Sequence, residues 1–512
     1  MAIWSDLPWE MRRMVLEALA REYRRSNSPG GLASYATVCG EWRYFFETKT
    51  FAQLVLTPSR VSDLHRFVPS GKRRLVKHIW LRILLRRYGC KVCGEFESMQ
   101  ATIKNDSLAS DALYALFDAL SSWKPSETGG GGLTLELSAH SPSDAEHYFK
   151  NFRFGAVPYF GEDDSDPGSR LLARDRLDGS DTSHAWRDSY ALGAYRLGDD
   201  FSRAGRLFGR GLCVAGELPR VEAVTGFLIR RQCYRRFQPL ALQKVLCSLP
   251  RLESVQLELW SRFFPQDEEY ETAFKADFPQ KSVRSLSIFE DYDVLLCSYC
   301  RGPRRTSPSL GQALAGVASY GLEDLALSFL VDAKDFFSSP LFSRPTGDPS
   351  NKDNKWGTLR TLALTSNLLA PDQCPLQINA LLRDAGAAAA AWMPRLETME
   401  IWNGRKGAAA VFRFERGGED GAAPKLTWRS SWPFALAPEV VAAWEKVGGS
   451  RGSLLSINAG TLPRPAVSHG SVLGYLRLGP KIVHPVSQYQ LWREADEEFC
   501  FWSRPPGCTM LD

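Results

Sequence analysis

The sequence predicts an α/β protein, with an N-terminal helical unit over residues 1–50 and, over 51–512, an irregular solenoid of parallel strands alternating with helices. Three observations predict it. Two apolar helical stripes, parted by a Ser/Pro/Gly break, fill the first fifty residues. A word of the form apolar-x-x-apolar-x-apolar recurs five times, from starts at 252, 283, 322, 359 and 396. Runs with helical periodicity lie between its copies, and a recurrence of this kind, here uneven, marks stacked strand–helix units.

The first helix is announced by Leu7-Pro8-Trp9-Glu10-Met11, with Asp6 as its N-cap, proline in the first turn and a carboxylate where the helix N-terminus favours one. Met11, Met14, Val15 and Leu19 form its apolar stripe, and Ser26-Asn27-Ser28-Pro29-Gly30-Gly31 breaks it. In the second helix Leu32, Tyr35, Val38, Cys39, Trp42 and Phe46 share one face. Two short helices with faces this wide must present part of them to the rest of the chain or to a partner.

This stretch resembles an F-box. The Leu-Pro-x-Glu signature of that family is matched by Leu7, Pro8 and Glu10, its apolar helix by Met11, Val15 and Leu16, and its Val-Cys-x-x-Trp signature by Val38, Cys39 and Trp42. The segment from Arg21 to Gly31 is longer and more polar than the family's usual link. The resemblance implies that these nine residues dock a Skp-type adaptor.

The five words are Leu252-Glu-Ser-Val255-Gln-Leu257, Val283-Arg-Ser-Leu286-Ser-Ile288, Leu322-Glu-Asp-Leu325-Ala-Leu327, Leu359-Arg-Thr-Leu362-Ala-Leu364 and Leu396-Glu-Thr-Met399-Glu-Ile401. Their second and third apolar positions alternate along a short strand, and the first anchors the approach to it. Helices are expected around Leu242, Val245 and Leu246, around Leu310 and Leu314, and around Ile378, Leu381 and Leu382. The word is similar to that of leucine-rich repeats, although the period is longer and the usual asparagine is missing in most copies. Earlier strands are expected at Leu54–Leu56, Ile79–Leu81 and Leu133–Leu137, with a helix through Leu113, Leu116, Phe117 and Leu120. Later ones are expected around Phe412 and Phe414 and around Leu426 and Trp428, with an aromatic-rich tail from Leu473 capping the last repeat. Polar insertions are expected near 161–200, 301–311, 343–357, 403–424 and 447–470.

Composition narrows the function. Apolar residues make up 44% and charged residues 24%, which is ordinary globular usage, so a folded core is expected throughout. A net charge of +5 spread over 63 basic and 58 acidic side chains makes no case for nucleic acid or a membrane surface. No apolar run is long enough for a membrane span and no signal segment opens the chain. Eleven scattered cysteines suit reduced thiols in the cytoplasm or nucleus better than a disulfide framework.

Chemistry finds little support. Ser143, Asp144 and His147 lie together, but Ser143-x-x-Glu146 reads as a capping box and there is no nucleophile elbow. Cys90 and Cys93 form one Cys-x-x-Cys pair, and Cys297 and Cys300 another. Four thiolates would suit zinc, but the gap between the pairs is far beyond that of a zinc ribbon. No glycine-rich loop has phosphate-binding spacing. No catalytic residue, cofactor or resident metal is therefore expected.

A second resemblance spans more of the chain. Leu135 to Asp144 with His147-Tyr148-Phe149, Arg230-Arg231-Gln232-Cys233, and the block from Trp42 to Leu56 are similar to segments of large fungal F-box proteins of unassigned substrate. Together the resemblances imply a non-enzymatic substrate receptor of a Skp–cullin–F-box ubiquitin ligase. The F-box would hold the adaptor and, through it, a cullin, while the solenoid would hold a target protein. The alternative is a leucine-rich-repeat-like binding scaffold acting outside any ligase. Target contact is expected on the strand positions that point away from the core, at Glu258, Trp260, Phe289, Glu400 and Trp402, with Phe289 and Trp402 as exposed anchors. Burial in the core is the stronger competing reading for the two tryptophans.

Overall fold

The computed structural model describes residues 4–26, 32–147, 205–261, 269, 271–273, 282–291, 306–318, 321–342, 356–405, 407–417, 423–448, 455–462, 469–478, 482–488 and 491. Within them one sheet of twelve strands runs through the molecule in chain order. The strands are β1 (Gln53–Leu56), β2 (His78–Leu84), β3 (Leu133–His140), β4 (Val224–Ile229), β5 (Ser254–Trp260), β6 (Ser285–Asp291), β7 (Asp324–Ser328), β8 (Thr361–Thr365), β9 (Thr398–Arg405), β10 (Ala408–Glu415), β11 (Lys425–Ser430) and β12 (Ser456–Thr461). Each neighbouring pair from β1 to β9 is parallel.

The five words are the adjacent parallel strands β5 to β9, in the expected register. Val255 lies opposite Leu286, Leu286 opposite Leu325, Leu325 opposite Leu362, and Leu362 opposite Met399. The first apolar position of every word is buried, at Leu252, Val283, Leu322, Leu359 and Leu396. All of these residues join one core with the buried sides of the Met99–Ser121, Pro239–Cys247, Pro308–Ala318, Pro375–Trp392 and Pro438–Gly448 helices. Parallel strands need a crossover between them, and these helices and the segments around them supply it.

The second residue of each word carries a charge and stands where its strand begins. These residues read Glu253, Arg284, Glu323, Arg360 and Glu397, alternating in sign across the sheet. Their backbones are linked in series: Arg284 N–H donates to the Glu253 carbonyl, Glu323 to Arg284, Arg360 to Glu323, and Glu397 to Arg360. Arg416 N–H closes the series on the Glu397 carbonyl. Side-chain ion pairs join Arg284 to Glu323 at 2.7 Å and Arg360 to Glu397 at 3.3 Å.

The far end departs from the expected repeat. β9, β10 and β11 are antiparallel, and only β12 returns to parallel pairing, on β11. The expected insertion at 403–424 is thus largely sheet: β9 runs to Arg405, Gly407 (φ 79°) turns the chain, and β10 continues to Glu415. A short turn after Arg405 cannot make the long crossover that a parallel neighbour requires, so the strand folds back on itself. The insertion expected at 447–470 contains β12 and the start of the His469–Leu476 helix. That expected at 301–311 gives way at Pro308 to a helix. Residues 161–200, 301–305 and 343–355 lie outside the described residues, as do Cys297 and Cys300.

The described residues of the tail do not cap the end of the sheet. They lie across the face opposite the core helices. Val472, Leu473, Leu476, Ile482, Val483 and Leu491 share a second core with Phe289, Ala326, Phe329, Ala363, Trp402 and Val411. The approach is close: a Cβ at Gly404 would stand 2.7 Å from a Val472 methyl. Among the described residues no helix is long and apolar enough to cross a membrane.

Candidate functional site

The N-terminal unit has a small core of its own. Leu16, Ala20 and Phe46 are buried together, with Trp4, Leu19, Leu32, Tyr35, Trp42 and Phe45 packed around them. The Trp9–Ser26 and Gly40–Ala52 helices are clipped by Glu41, whose carboxylate accepts from Arg12 at 3.1 Å and from the Trp4 indole at 3.0 Å. The first helix begins at Trp9, so Pro8, not Asp6, flanks it. Of the nine signature residues, Pro8, Glu10, Met11, Val15, Val38 and Cys39 are exposed, and Leu7 and Trp42 are half-buried. The Trp42 ring lies 5.4 Å from Trp4 and 5.7 Å from Phe46, joining outer surface to inner core. Leu16 is 2% exposed and belongs to the core, which corrects its expected place on a docking surface. Met11, Met14, Val15 and Val38, with Trp9 and Tyr44, leave this unit with a dense set of exposed large apolar side chains.

The five strand positions expected to meet a target are all buried. They point away from the helix-lined core, as strand alternation requires, but other parts of the chain cover them. Trp402 stacks edge-on against Phe329 at 4.9 Å, and Phe329 against Phe289 at 5.8 Å. Phe329 takes a left-handed backbone (φ 64°), and its amide is held by the Thr365 hydroxyl at 2.7 Å. Glu400 pairs with Arg413 at 2.6 Å, and Arg413 also donates to the Leu476 carbonyl at 3.1 Å. Trp260 packs against both Phe208 and Tyr234, which also touch each other, with the Arg231 guanidinium 4.8 Å from its ring. The expectation of two exposed aromatic anchors therefore fails. Outward on a strand means solvent only if nothing packs on that face, and here the tail does.

Glu258 is the centre of that contact. Its carboxylate accepts the His484 N–H and the Ser487 hydroxyl from the tail, and the Arg231 N–H at 2.9 Å. Burial pushes its pKa up to about 6, against the opposing pull of those hydrogen bonds. The Ser287 hydroxyl adds a bond to the Ile482 carbonyl at 3.2 Å.

Farther along the same face the charges are paired internally. Arg230 meets Glu136 at 2.6 Å, with the His78 imidazole 3.0 Å from the second carboxylate oxygen. Burial opposes ionisation of Glu136, but Arg230 and His78 together hold its pKa below the ordinary value. Arg231 meets Asp291 at 2.6 Å and Arg235 meets Asp144 at 2.8 Å. Burial and the neighbouring Arg82 lower the His140 pKa to about 4. The basic doublets at 230–231 and 235–236 are internal.

The Ser143, Asp144 and His147 group is structural. The capping box starts two residues earlier than expected: the Ser141 hydroxyl accepts the Ser143 N–H, and Asp144 accepts the Ser141 N–H at 2.9 Å. Ser143 accepts the Tyr88 N–H instead of facing a base. Asp144 is committed to Arg235 and to the Tyr88 hydroxyl. Cys90 and Cys93 bracket one helical turn; Cys90 is exposed and Cys93 buried. Among the described residues no three His, Cys, Asp or Glu side chains are grouped to hold a metal ion.

Comparison with known proteins adds one match. Residues 277–484 are similar to a family of unknown function (DUF6546). The match takes in β6 to β12 and runs through the tail to His484, less than half of the chain. No curated protein and no solved structure matches the chain.

Proposed function

We propose that this chain is a substrate-receptor subunit of a Skp–cullin–F-box ubiquitin ligase, built from an N-terminal F-box and a leucine-rich-repeat-like solenoid. The observation that carries the reading is the N-terminal unit. Two ordered signatures fall in a helical pair with its own small core, and Pro8, Met11, Val15 and Val38 remain exposed on its outside. An apolar surface this dense, on so small a unit, suits burial against a partner. The reading gives the chain no bond-making role. It holds a target near a charged ubiquitin-conjugating enzyme, raising the local concentration of reactants. Such a complex works in the cytoplasm or nucleus.

The target cannot be met by Glu258, Trp260, Phe289, Glu400 or Trp402 as the molecule stands, since these seat the tail and the buried aromatic cluster. On this reading contact falls to outer surfaces. Met99 and Ile103, exposed one helical turn apart on the Met99–Ser121 helix beside exposed Phe96, are the first place to look.

The test is co-purification of the full chain with a Skp-type adaptor. Wild type should retain the adaptor, and Pro8→Ala combined with Val38→Asp should lose it while the thermal unfolding of the sheet is unchanged. Equal recovery by both proteins would remove the docking role and favour a binding scaffold outside any ligase.

A further inference from the structure

We propose that Cys90 and Cys93 form a redox-active dithiol that exchanges with a low-molecular-weight disulfide such as oxidised glutathione. The Cys90–Cys93 turn places one thiol at the surface and the other inside. The Cys93 sulfur points back along the turn and lies 3.3 Å from the Cys90 carbonyl oxygen. The Cys90 sulfur lies 3.9 Å from Nδ1 of His147, a buried imidazole whose ring is packed against Tyr88 at 5.4 Å. Arg206 braces the turn from below. Its guanidinium donates to the Val92 carbonyl at 2.6 Å and the Glu95 carbonyl at 3.0 Å, and lies 4.6 Å from the Tyr88 ring. An accessible thiol, a base in contact with it and a buried second thiol on the same turn are the parts that exchange requires.

The step balances as follows. With the imidazole proton on Nε2, Nδ1 accepts the Cys90 proton. The thiolate attacks one sulfur of the external disulfide, whose S–S bond breaks, and one glutathione thiolate leaves and is protonated. Cys93, as thiolate, then attacks the Cys90 sulfur of the mixed disulfide and releases the second glutathione. Two electrons pass from the protein dithiol to the external disulfide, and the two thiol protons end on two glutathione molecules. Helical residues three apart have Cβ atoms about 5–6 Å apart, and a disulfide holds them at about 3.8 Å. Closure therefore tightens this one short turn and leaves the sheet alone.

The experiment uses the full, reduced chain equilibrated against mixtures of reduced and oxidised glutathione, with peptide mass spectrometry as the readout. Exposed Cys39, Cys247 and Cys374 are controls within the same molecule. The expected results are an internal disulfide confined to the 90–93 peptide, a stable glutathione adduct on Cys90 in Cys93→Ser, and a Cys90 alkylation rate that falls several-fold in His147→Gln while that of Cys39 does not. The proposal is overturned if wild-type Cys90 reacts no faster than the three controls. It is equally overturned if its glutathione adduct is never resolved by Cys93, or if the purified chain carries zinc that shields both thiols.

Discussion

Burial decides the role of single residues more than residue type does. Glu258 has the composition of a contact residue and the surroundings of a core one. Its pKa is raised from 4.5 to about 6, so the fold prefers the neutral acid. Its stabilising contribution is present in full below pH 4.5 and is lost as the pH rises through 6, a change of about 2 kcal/mol. In a comparison of wild type with Glu258→Gln, the difference in unfolding free energy should therefore drift by that amount between pH 4 and pH 7; a flat difference would show that folding leaves the Glu258 pKa unchanged. Trp402, fully buried against Phe329, should cost about 3–5 kcal/mol when changed to alanine, read by urea denaturation. A loss below about 1 kcal/mol, the scale of a surface change, would place the ring in solvent. The Arg235–Asp144 pair should behave like a buried ion pair. Arg235→Met leaves a buried carboxylate with the Tyr88 hydroxyl and the Ser141 N–H but no counter-charge and should cost about 3–5 kcal/mol, and a neutral result would mean that water reaches Asp144. Of this only the burial of Trp402 was legible in the chain, from its residue type; strand alternation tells which face a residue takes and not what covers that face.

At the scale of elements, the sequence was most readable where a period was at work. The L-x-x-L-x-L word located β5 to β9 and their register because every apolar position in it is buried by the same geometry. β4 was missed: Val224-Thr225-Gly226-Phe227 lacks the word, and Gly226 replaces the side chain that packing against Thr134 leaves no room for. β10 was found as an apolar stretch but assigned the wrong direction, and Gly407 was the signal for the reversal. The tail was recognised as a cover, though for the wrong surface. Its role can be tested by ending the chain before His469. The truncated protein should bind a hydrophobic dye through the uncovered Phe289, Phe329 and Trp402 cluster and lose amide protection in β6 to β10, with β2 and β3 unaffected. Unchanged dye binding would mean that the tail is not what keeps that face dry.

For the molecule as a whole, one continuous core runs from Leu56 to Val447, whereas the N-terminal helical pair keeps a separate core and an apolar exterior. The two ends are also specified differently. On the proposed reading the N-terminal signatures are short words legible at sight, while a surface that selects a target would be assembled from residues far apart in sequence, and the five strand positions chosen from the sequence are buried. The row of charges at the strand starts has a consequence for how such a chain can grow or shrink. Because Glu253, Arg284, Glu323, Arg360 and Glu397 alternate, neighbouring strands from β5 to β9 begin with opposite charges, and this part of the sheet possesses a parity. Excising one strand–helix unit, say the one that carries Arg284, sets Glu253 beside Glu323, two like charges across one strand spacing. Excising two consecutive units restores the alternation. Each exposed pair is worth only about 0–1 kcal/mol and is screened by salt, so the effect is a bias that low ionic strength should reveal and high salt erase. On that logic, lineages of this architecture would gain and lose their repeats in twos.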